Sequence, residues 1–305
     1  MPKTARDKDP TRSRTLRREF EADSARRVRW IARAITIAIG DRDALALATV
    51  PATLAAGDAP IPQLPRRAYE YRSDADKIQA FRGWLDQLQE RGLLEIVEGE
   101  GVEGAGPWTN AYIKRSYQHG AELALDDLER AGILPPLPGG AGGVAGNWTA
   151  PFRAQRVQTL YARAFNDMQG LADDAKKTLS RMLADGMARG AGPRQTAKLM
   201  ADTLGGGRNG LIRAKLIART ETIRAHQDAA LAEYAEAERL TGKTINSEWW
   251  TALDDHVRDS HAERHGKVYT PEEAAVLIGE PNCRCALLPT LKEPTPGRPI
   301  NPMEG

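Results

Sequence analysis

The sequence has only two cysteines in 305 residues, and they stand one residue apart as Cys283 and Cys285. A disulfide bond between residues this close would be strained, so a framework of disulfides is excluded. No run of about 18 apolar residues occurs, which excludes a membrane-spanning helix. The first residues are polar and lack the apolar core of a secretion signal, so we expect a cytoplasmic protein without membrane partners.

The net charge is also low, at +2, although 28% of the residues are charged. The chain as a whole is therefore not expected to attract nucleic acid electrostatically. The charge is nevertheless uneven, because residues 1–33 contain eleven Lys or Arg against five Asp or Glu. A basic arm of this kind contacts DNA phosphates or an acidic protein surface, or it remains a solvated tail. The sequence leaves these alternatives open.

Long stretches of the chain repeat apolar residues at three- and four-residue steps, which predicts amphipathic helices. The predicted helices cover about 17–39, 66–97, 109–130 with Thr109 as N-cap, 152–189, a short stretch from Pro193, and 209–240. The proline-rich residues 50–65 and the glycine-rich residues 99–106 predict loops. Past Gly242, "KTINSEWWTALDD" has the composition of a strand, and "GKVYTPEEAAVLIG" predicts a strand and a short helix. The expected fold class is mainly α, with long amphipathic helices and a small α+β C-terminal module.

The stretch "GILPPLPGGAGGVAG", residues 132–146, contains nine Pro or Gly in fifteen positions. This composition is typical of a linker between domains. We therefore expect an N-terminal helical region with the basic arm at 1–131, a linker at 132–146, a C-terminal domain at 147–289 and a proline-rich tail at 290–305.

Three histidines, His256, His261 and His265, precede the two cysteines by about twenty residues. Thiolate and imidazole are ligands that suit Zn²⁺, and alternate residues of an extended segment point the same way, so both cysteines can face one ion. The spacing is not that of a paired Cys-x-x-Cys site. The alternative is that Cys283 fills a buried space and the histidines lie on the surface.

The same region also permits an enzymatic interpretation. Asp254, His256 and His261 combine carboxylate and imidazole, which can hold a cation that activates water in a metal-dependent nuclease or hydrolase. No pair of nucleophile and base accompanies them, and the glycine-rich runs lack the strand and helix of a nucleotide-binding loop.

Four stretches occur in an order and spacing that resembles the phage Mu F-like head morphogenesis (minor head protein) family. They are "GPRQTAKLM", "IARTETIRAHQDAALAEY", "WWTALDDHVRDSHAERHGKV" and "PNCRC", and the resemblance covers about residues 157–289. It implies a structural, non-enzymatic minor component of a tailed-phage or prophage head. The implied partners are the portal protein and capsid or scaffold proteins. The implied locations are the host cytoplasm during assembly and then the virion head.

The sequence departs from the family pattern in three places. His256 stands where an arginine is usual, His265 stands where a small polar residue is usual, and Glu280-Pro281 replaces a further histidine ahead of the cysteines. Because His261 lies in the best-matched motif, we expect His261, Cys283 and Cys285 as zinc ligands, with His265 or His256 as the fourth.

The charged and aromatic motif residues predict a structural clamp between the last long helix and the module. Its expected members are Arg219, Glu221, Trp250, Asp254 and Arg258, with Arg219 or Arg258 pairing with Asp254. The alternative is that these charges are solvated at the surface.

Overall fold

The computed structural model describes residues 9–48, 71–101, 104–146, 151–206 and 210–296, and helices account for most of them. The helices are α1 (Arg14–Ile35), followed by a π-helical turn (Thr36–Asp41), α2 (Asp74–Arg91), α3 (Asn110–Arg130), α4 (Gly140–Ala145), α5 (Pro151–Ala188), α6 (Pro193–Gly206), α7 (Leu211–Thr241), α8 (Asp259–Ala262) and α9 (Pro271–Leu277). The strands are β1 (Ile96–Val97), β2 (Gly106–Pro107), β3 (Asn246–Trp250), β4 (Val268–Tyr269) and β5 (Ala286–Thr290). The predicted fold class, mainly α with a small α+β C-terminal module, is confirmed.

The long helices lie where the apolar periodicity predicts them. Helix α5, for example, buries Val157, Leu160, Met168, Leu171 and Leu179, which recur at the spacing of one helix face. The predicted helix at 66–97 is shorter, because α2 ends at Arg91 and the chain then enters β1. The predicted loop at 50–65, and residues 66–70 of the predicted helix, lie outside the described residues. None of the described helices is long and apolar enough to cross a membrane.

Thr109 occupies the N-cap position of α3, as predicted, but it does not act as the predicted side-chain cap. Its backbone is already helical, and its hydroxyl accepts no hydrogen bond from the first turn. A capping hydroxyl requires an extended backbone at this position, so the conformation explains the difference.

The chain divides into two compact units that interleave along the sequence. Unit 1 comprises Met1–Phe20, Thr109–Ala164 and Ala218–Gly305, and unit 2 comprises Glu21–Trp108 and Phe165–Ile217. Each unit contains segments that precede residues 132–146 and segments that follow them, so this division differs from the predicted boundary. The physical reason is that α1, α5 and α7 are continuous helices that each contribute residues to both units. Folding of residues 147–289 as an independent domain stays a prediction.

The predicted linker is partly helical and lies within unit 1. Residues 140–145 form α4, which packs on α3 through the buried side chains of Ala141 and Ala145. Because alanine and glycine have small side chains or none, α4 can pack closely on α3. A count of Pro and Gly residues does not reveal this packing. Of the predicted tail, Thr290 ends β5, and residues 297–305 lie outside the described residues.

In unit 2, the π-helical turn packs against α6, and α2 packs near the C-terminal part of α5. The side chain of Gln89 is buried and donates a hydrogen bond from Nε2 to the carbonyl of Ala172, at 2.7 Å. This bond satisfies the amide within an otherwise apolar core.

In unit 1, α3 and α7 approach closely at a glycine. A Cβ atom added at Gly120 would lie 2.3 Å from the carbonyl oxygen of His226 and 2.7 Å from its Cα. Only the absence of a side chain permits this contact. Alanines along α7, among them Ala225 and Ala229, are fully buried and keep its packing distances short.

A three-stranded antiparallel sheet follows α7 in the order β4–β3–β5. Trp249 pairs with Leu287 in the register of β3 and β5, and its indole is fully buried. Tyr234 of α7 donates a hydrogen bond from its hydroxyl to the carbonyl of Leu287, at 2.9 Å. The sheet is therefore joined directly to the long helix that precedes it.

Candidate metal centre

Two cysteines and one histidine meet in the small module of unit 1. The Nδ1 atom of His261 lies 3.3 Å from the Sγ atom of Cys285 and 3.6 Å from the Sγ atom of Cys283. All three side chains are buried, and their potential ligand atoms lie within 4.8 Å of one another. The structure thus brings together three of the predicted zinc ligands, and both cysteines are free thiols.

Different local structures place these three groups. His261 lies on the short helix α8, and its ring makes an edge contact with the buried indole of Trp249, with the ring centroids 5.6 Å apart. Cys283 and Cys285 lie in the turn before β5, where the backbone N–H of Cys285 points at the Sγ atom of Cys283, 3.4 Å away. Asn282 takes a positive φ of 59°, which closes this turn and is a conformation that asparagine tolerates well.

The second ring nitrogen of His261 is held by a carboxylate. Its Nε2 atom lies 3.1 Å from Oε2 of Glu280, and Glu280 in turn accepts a hydrogen bond from Nη1 of Arg258, at 3.1 Å. Arg264 also lies near this carboxylate, at 3.7 Å. Glu280 therefore fixes the orientation of the imidazole and directs Nδ1 towards the two sulfur atoms.

The electrostatics of the cluster favour a negative charge on one sulfur. The hydrogen bond from the Cys283 thiol lowers the pKa of Cys285 to about 5, with His261 acting in the same direction and burial opposing it. The same hydrogen bond, together with burial, raises the pKa of Cys283. The hydrogen bond to Cys285 raises the pKa of His261, although burial opposes this. These directions favour a thiolate on Cys285 beside a protonated His261.

The two candidates for a fourth ligand lie outside this cluster. His265 packs its ring against Trp250, with centroids 4.6 Å apart, and its Nδ1 atom accepts a hydrogen bond from the backbone of Thr251 at 3.2 Å. His256 is exposed. Among the described residues, only His261, Cys283 and Cys285 form a group of three or more potential ligands of this kind.

The loop that carries the cysteines is tied to α7 by side chains that the motif analysis did not single out. Arg224 donates from Nε to the carbonyl of Gly279 at 2.8 Å, and Gln227 donates from Nε2 to the carbonyl of Cys285 at 2.7 Å. With Tyr234, these residues lie three and seven positions apart, so they form one stripe on the helix. All of them occur in the stretch "IARTETIRAHQDAALAEY", where this spacing could have indicated a shared face.

Glu221, one of the predicted clamp residues, belongs to the same arrangement. Its carboxylate is fully buried and accepts hydrogen bonds from Arg224 at 2.9 Å and from Arg163 at 3.0 Å. Glu221 therefore orients Arg224 towards the loop. Arg219, the other predicted member on this helix, is exposed.

The other predicted clamp residues take different partners from those expected. Both carboxylate oxygens of Asp254 bind the guanidinium of Arg284, at 2.9 and 2.5 Å, and this hydrogen bonding lowers the pKa of Asp254. Arg258 binds Glu280 and the carbonyl of Pro281, which is 2.6 Å from Nη2. The expectation that Arg219 or Arg258 pairs with Asp254 did not anticipate Arg284, which reaches Asp254 through the pairing of β3 with β5.

The residues of the alternative hydrolytic site are not assembled as such a site. Asp254 is engaged by Arg284, His256 is exposed, and His261 faces the two buried sulfur atoms. Within the part of the chain that the structure describes, these three side chains do not converge on one cation position. The geometry thus favours a centre built from sulfur and nitrogen.

Comparison with known proteins finds a match to a family model. Residues 177–288, a little over a third of the chain, match the family described as "Phage Mu protein F like protein". Neither a curated protein nor a solved structure matches the chain. The matched residues run from the C-terminal part of α5 through α7 to the strand after the two cysteines, and they include every member of the cluster. This stretch is therefore similar to the phage Mu F-like family, as the motifs predicted.

Proposed function

We propose that the chain is a structural minor head protein of a tailed phage or prophage. It docks near the portal and assists capsid assembly, genome packaging or ejection. The observation that carries this proposal is the match of residues 177–288 to the phage Mu F-like family, which is a family of structural phage proteins related to the head.

The contacts of the motif residues support a structural role. Gln227 and Tyr234 are buried and donate hydrogen bonds to the backbone of the module, and the buried Glu221 holds Arg224, which does the same. Side chains used in this way stabilise a body that other proteins can bind, and they do not face a substrate. We accordingly propose that the chain is not an enzyme.

The proposed partners are the portal protein and capsid or scaffold proteins. Residues 1–33 are a proposed contact with DNA, of which residues 1–8 lie outside the described residues. Helix α1 exposes Arg14 and Arg18 one turn apart, a spacing that suits successive phosphates of a nucleic acid backbone. The proposed locations are the host cytoplasm during assembly and the head of the finished virion.

The test is coexpression with the portal protein encoded in the same phage or prophage genome. We expect the two proteins to copurify through an affinity tag on either partner and to elute together on size exclusion. The matched control is the major tail protein of the same genome, which should not copurify. If the portal assembles and elutes without this chain in both low and high salt, the docking proposal is wrong.

Incubation of the same purified protein with DNA and Mg²⁺ or Mn²⁺ tests the enzymatic alternative. We expect intact DNA. Cleavage that disappears in the variant His256→Ala would support the nuclease instead, since His256 is exposed and its loss should leave the fold intact.

A further inference from the structure

The spacing of the three buried ligand atoms matches the coordination sphere of a zinc ion. A tetrahedral Zn²⁺ holds nitrogen at ~2.1 Å and sulfur at ~2.3 Å, which places a nitrogen ligand about 3.6 Å from a sulfur ligand. The observed separations of His261 Nδ1 from the two sulfurs are 3.3 and 3.6 Å. An ion can therefore be placed between the three atoms with little movement of the side chains.

The surroundings of His261 also match those of a metal ligand. A ligating histidine generally donates its other ring N–H to a carboxylate, which fixes the tautomer and leaves a lone pair on the ligating nitrogen. Glu280 supplies that carboxylate at 3.1 Å from Nε2, and Arg258 and Arg264 restrain it. The lone pair of Nδ1 then faces Cys283 and Cys285.

The set of donors selects the class of metal. Two thiolates and one imidazole suit Zn²⁺, whereas Mg²⁺ and Ca²⁺ require oxygen ligands. A pair of thiolate and imidazolium without metal would account for His261 and Cys285. Cys283 is also buried and lies 3.6 Å from the same nitrogen, so all three groups face one point, and the metal content of the protein separates the two arrangements.

We propose that His261, Cys283 and Cys285 bind one Zn²⁺ ion, with Glu280 as the positioning residue. The ion fastens the turn before β5 to α8, while Arg224, Gln227 and Tyr234 hold the adjoining backbone on α7. The site is structural, and the inference stands on the geometry of this chain without resting on the proposed function.

The first experiment measures metal in the full chain purified under reducing conditions without chelator. Elemental analysis should find about one zinc per chain. Cys283→Ser and Cys285→Ser should each lose most of it, whereas the matched control His256→Ala, an exposed histidine of the same module, should keep it. Zinc retained at the parental level by both serine variants, or lost from His256→Ala, would overturn the assignment.

A second measurement does not depend on the folding of the variants. Metal-free parent protein titrated with Co²⁺ should develop the intense visible bands of a tetrahedral centre and the near-ultraviolet charge transfer of thiolate ligands, saturating at one equivalent. Glu280→Gln should give the same spectrum with an affinity about 10- to 100-fold lower, because the charged partner of His261 is lost. If the parent binds neither Zn²⁺ nor Co²⁺, the two cysteines serve packing alone and the proposal fails.

Discussion

Removing one partner of the buried ion pair between Arg153 and Glu233 should destabilise the protein severely. The two side chains are only 5% and 2% exposed, and two parallel hydrogen bonds of 2.8 Å join the guanidinium of α5 to the carboxylate of α7. Arg153 donates a third bond to the carbonyl of Val144, also at 2.8 Å. Burial is the largest influence on Arg153 and disfavours its charge, but the hydrogen bond to Glu233 and the nearby negative charges together outweigh burial, so the pKa of Arg153 is raised.

The expected loss of unfolding free energy follows from the unpaired charge that each substitution leaves in the protein interior. Glu233→Gln leaves a buried guanidinium without its counter-charge, and Arg153→Met leaves a buried carboxylate, so each should cost about 3–5 kcal/mol of unfolding free energy. For a unit of this size, that loss corresponds to a fall in melting temperature on the order of 10 °C. The double variant Arg153→Met/Glu233→Gln removes both charges and should lose far less than the sum of the single variants.

Thermal melting followed by circular dichroism, with urea unfolding at 25 °C, measures these differences. The matched control is Glu236→Gln, one turn along α7, whose partner Arg239 is exposed at the surface, so stability should not change measurably. If Glu233→Gln melts like the parent, or if the double variant loses the full sum, the pair is not buried and coupled as described.

Three further predictions concern other parts of the molecule. Gly120→Ala should lower the free energy of unfolding in urea by about 1–3 kcal/mol, because the added Cβ would overlap the backbone of α7. Gly83→Ala, which has open space around it in α2, should instead raise the free energy of unfolding by about 0.5–1 kcal/mol. Equal effects of the two substitutions would refute the close contact at Gly120. The hydrogen bond from Arg284 lowers the pKa of Asp254. The ionised Asp254 therefore stabilises the protein at pH values above the ordinary pKa of a carboxyl group, and this stabilisation is lost as the pH falls through the lowered pKa of Asp254. Melting temperatures from pH 7 to pH 2 should therefore depend less on pH in Asp254→Asn than in the parent, and parallel curves would contradict this. Finally, Arg14→Gln/Arg18→Gln should lower the slope of log binding constant against log salt for duplex DNA by about 2, measured by fluorescence anisotropy; an unchanged slope would exclude these arginines as phosphate contacts.

The helices could be predicted from the sequence because their periodicity is local. The face of α5, for example, repeats Val157, Leu160 and Met168 at helical steps that packing then buries. The interleaving of the two units could not be predicted in this way, since it depends on which distant segments pack together. The same limit applies to α4, whose small residues form a helix only against α3.

The three potential metal ligands of the candidate site could also be predicted. His261, Cys283 and Cys285 follow from ligand chemistry and from the resemblance to the family, and the structure brings them together. Glu280 could not be predicted as the partner of His261, because the two lie 19 positions apart and no spacing rule connects them. The pairing of Asp254 with Arg284 could not be predicted either, because it forms only when β3 and β5 lie side by side.

Quantitative mass spectrometry of purified, DNA-filled particles tests the central claim most directly. The particles would come from the phage or induced prophage that encodes this chain. A minor head protein near the portal should be present in far fewer copies than the major capsid protein, and deletion of its gene should reduce infectivity. Particles that lack the chain, produced with full infectivity after the gene is deleted, would contradict the account.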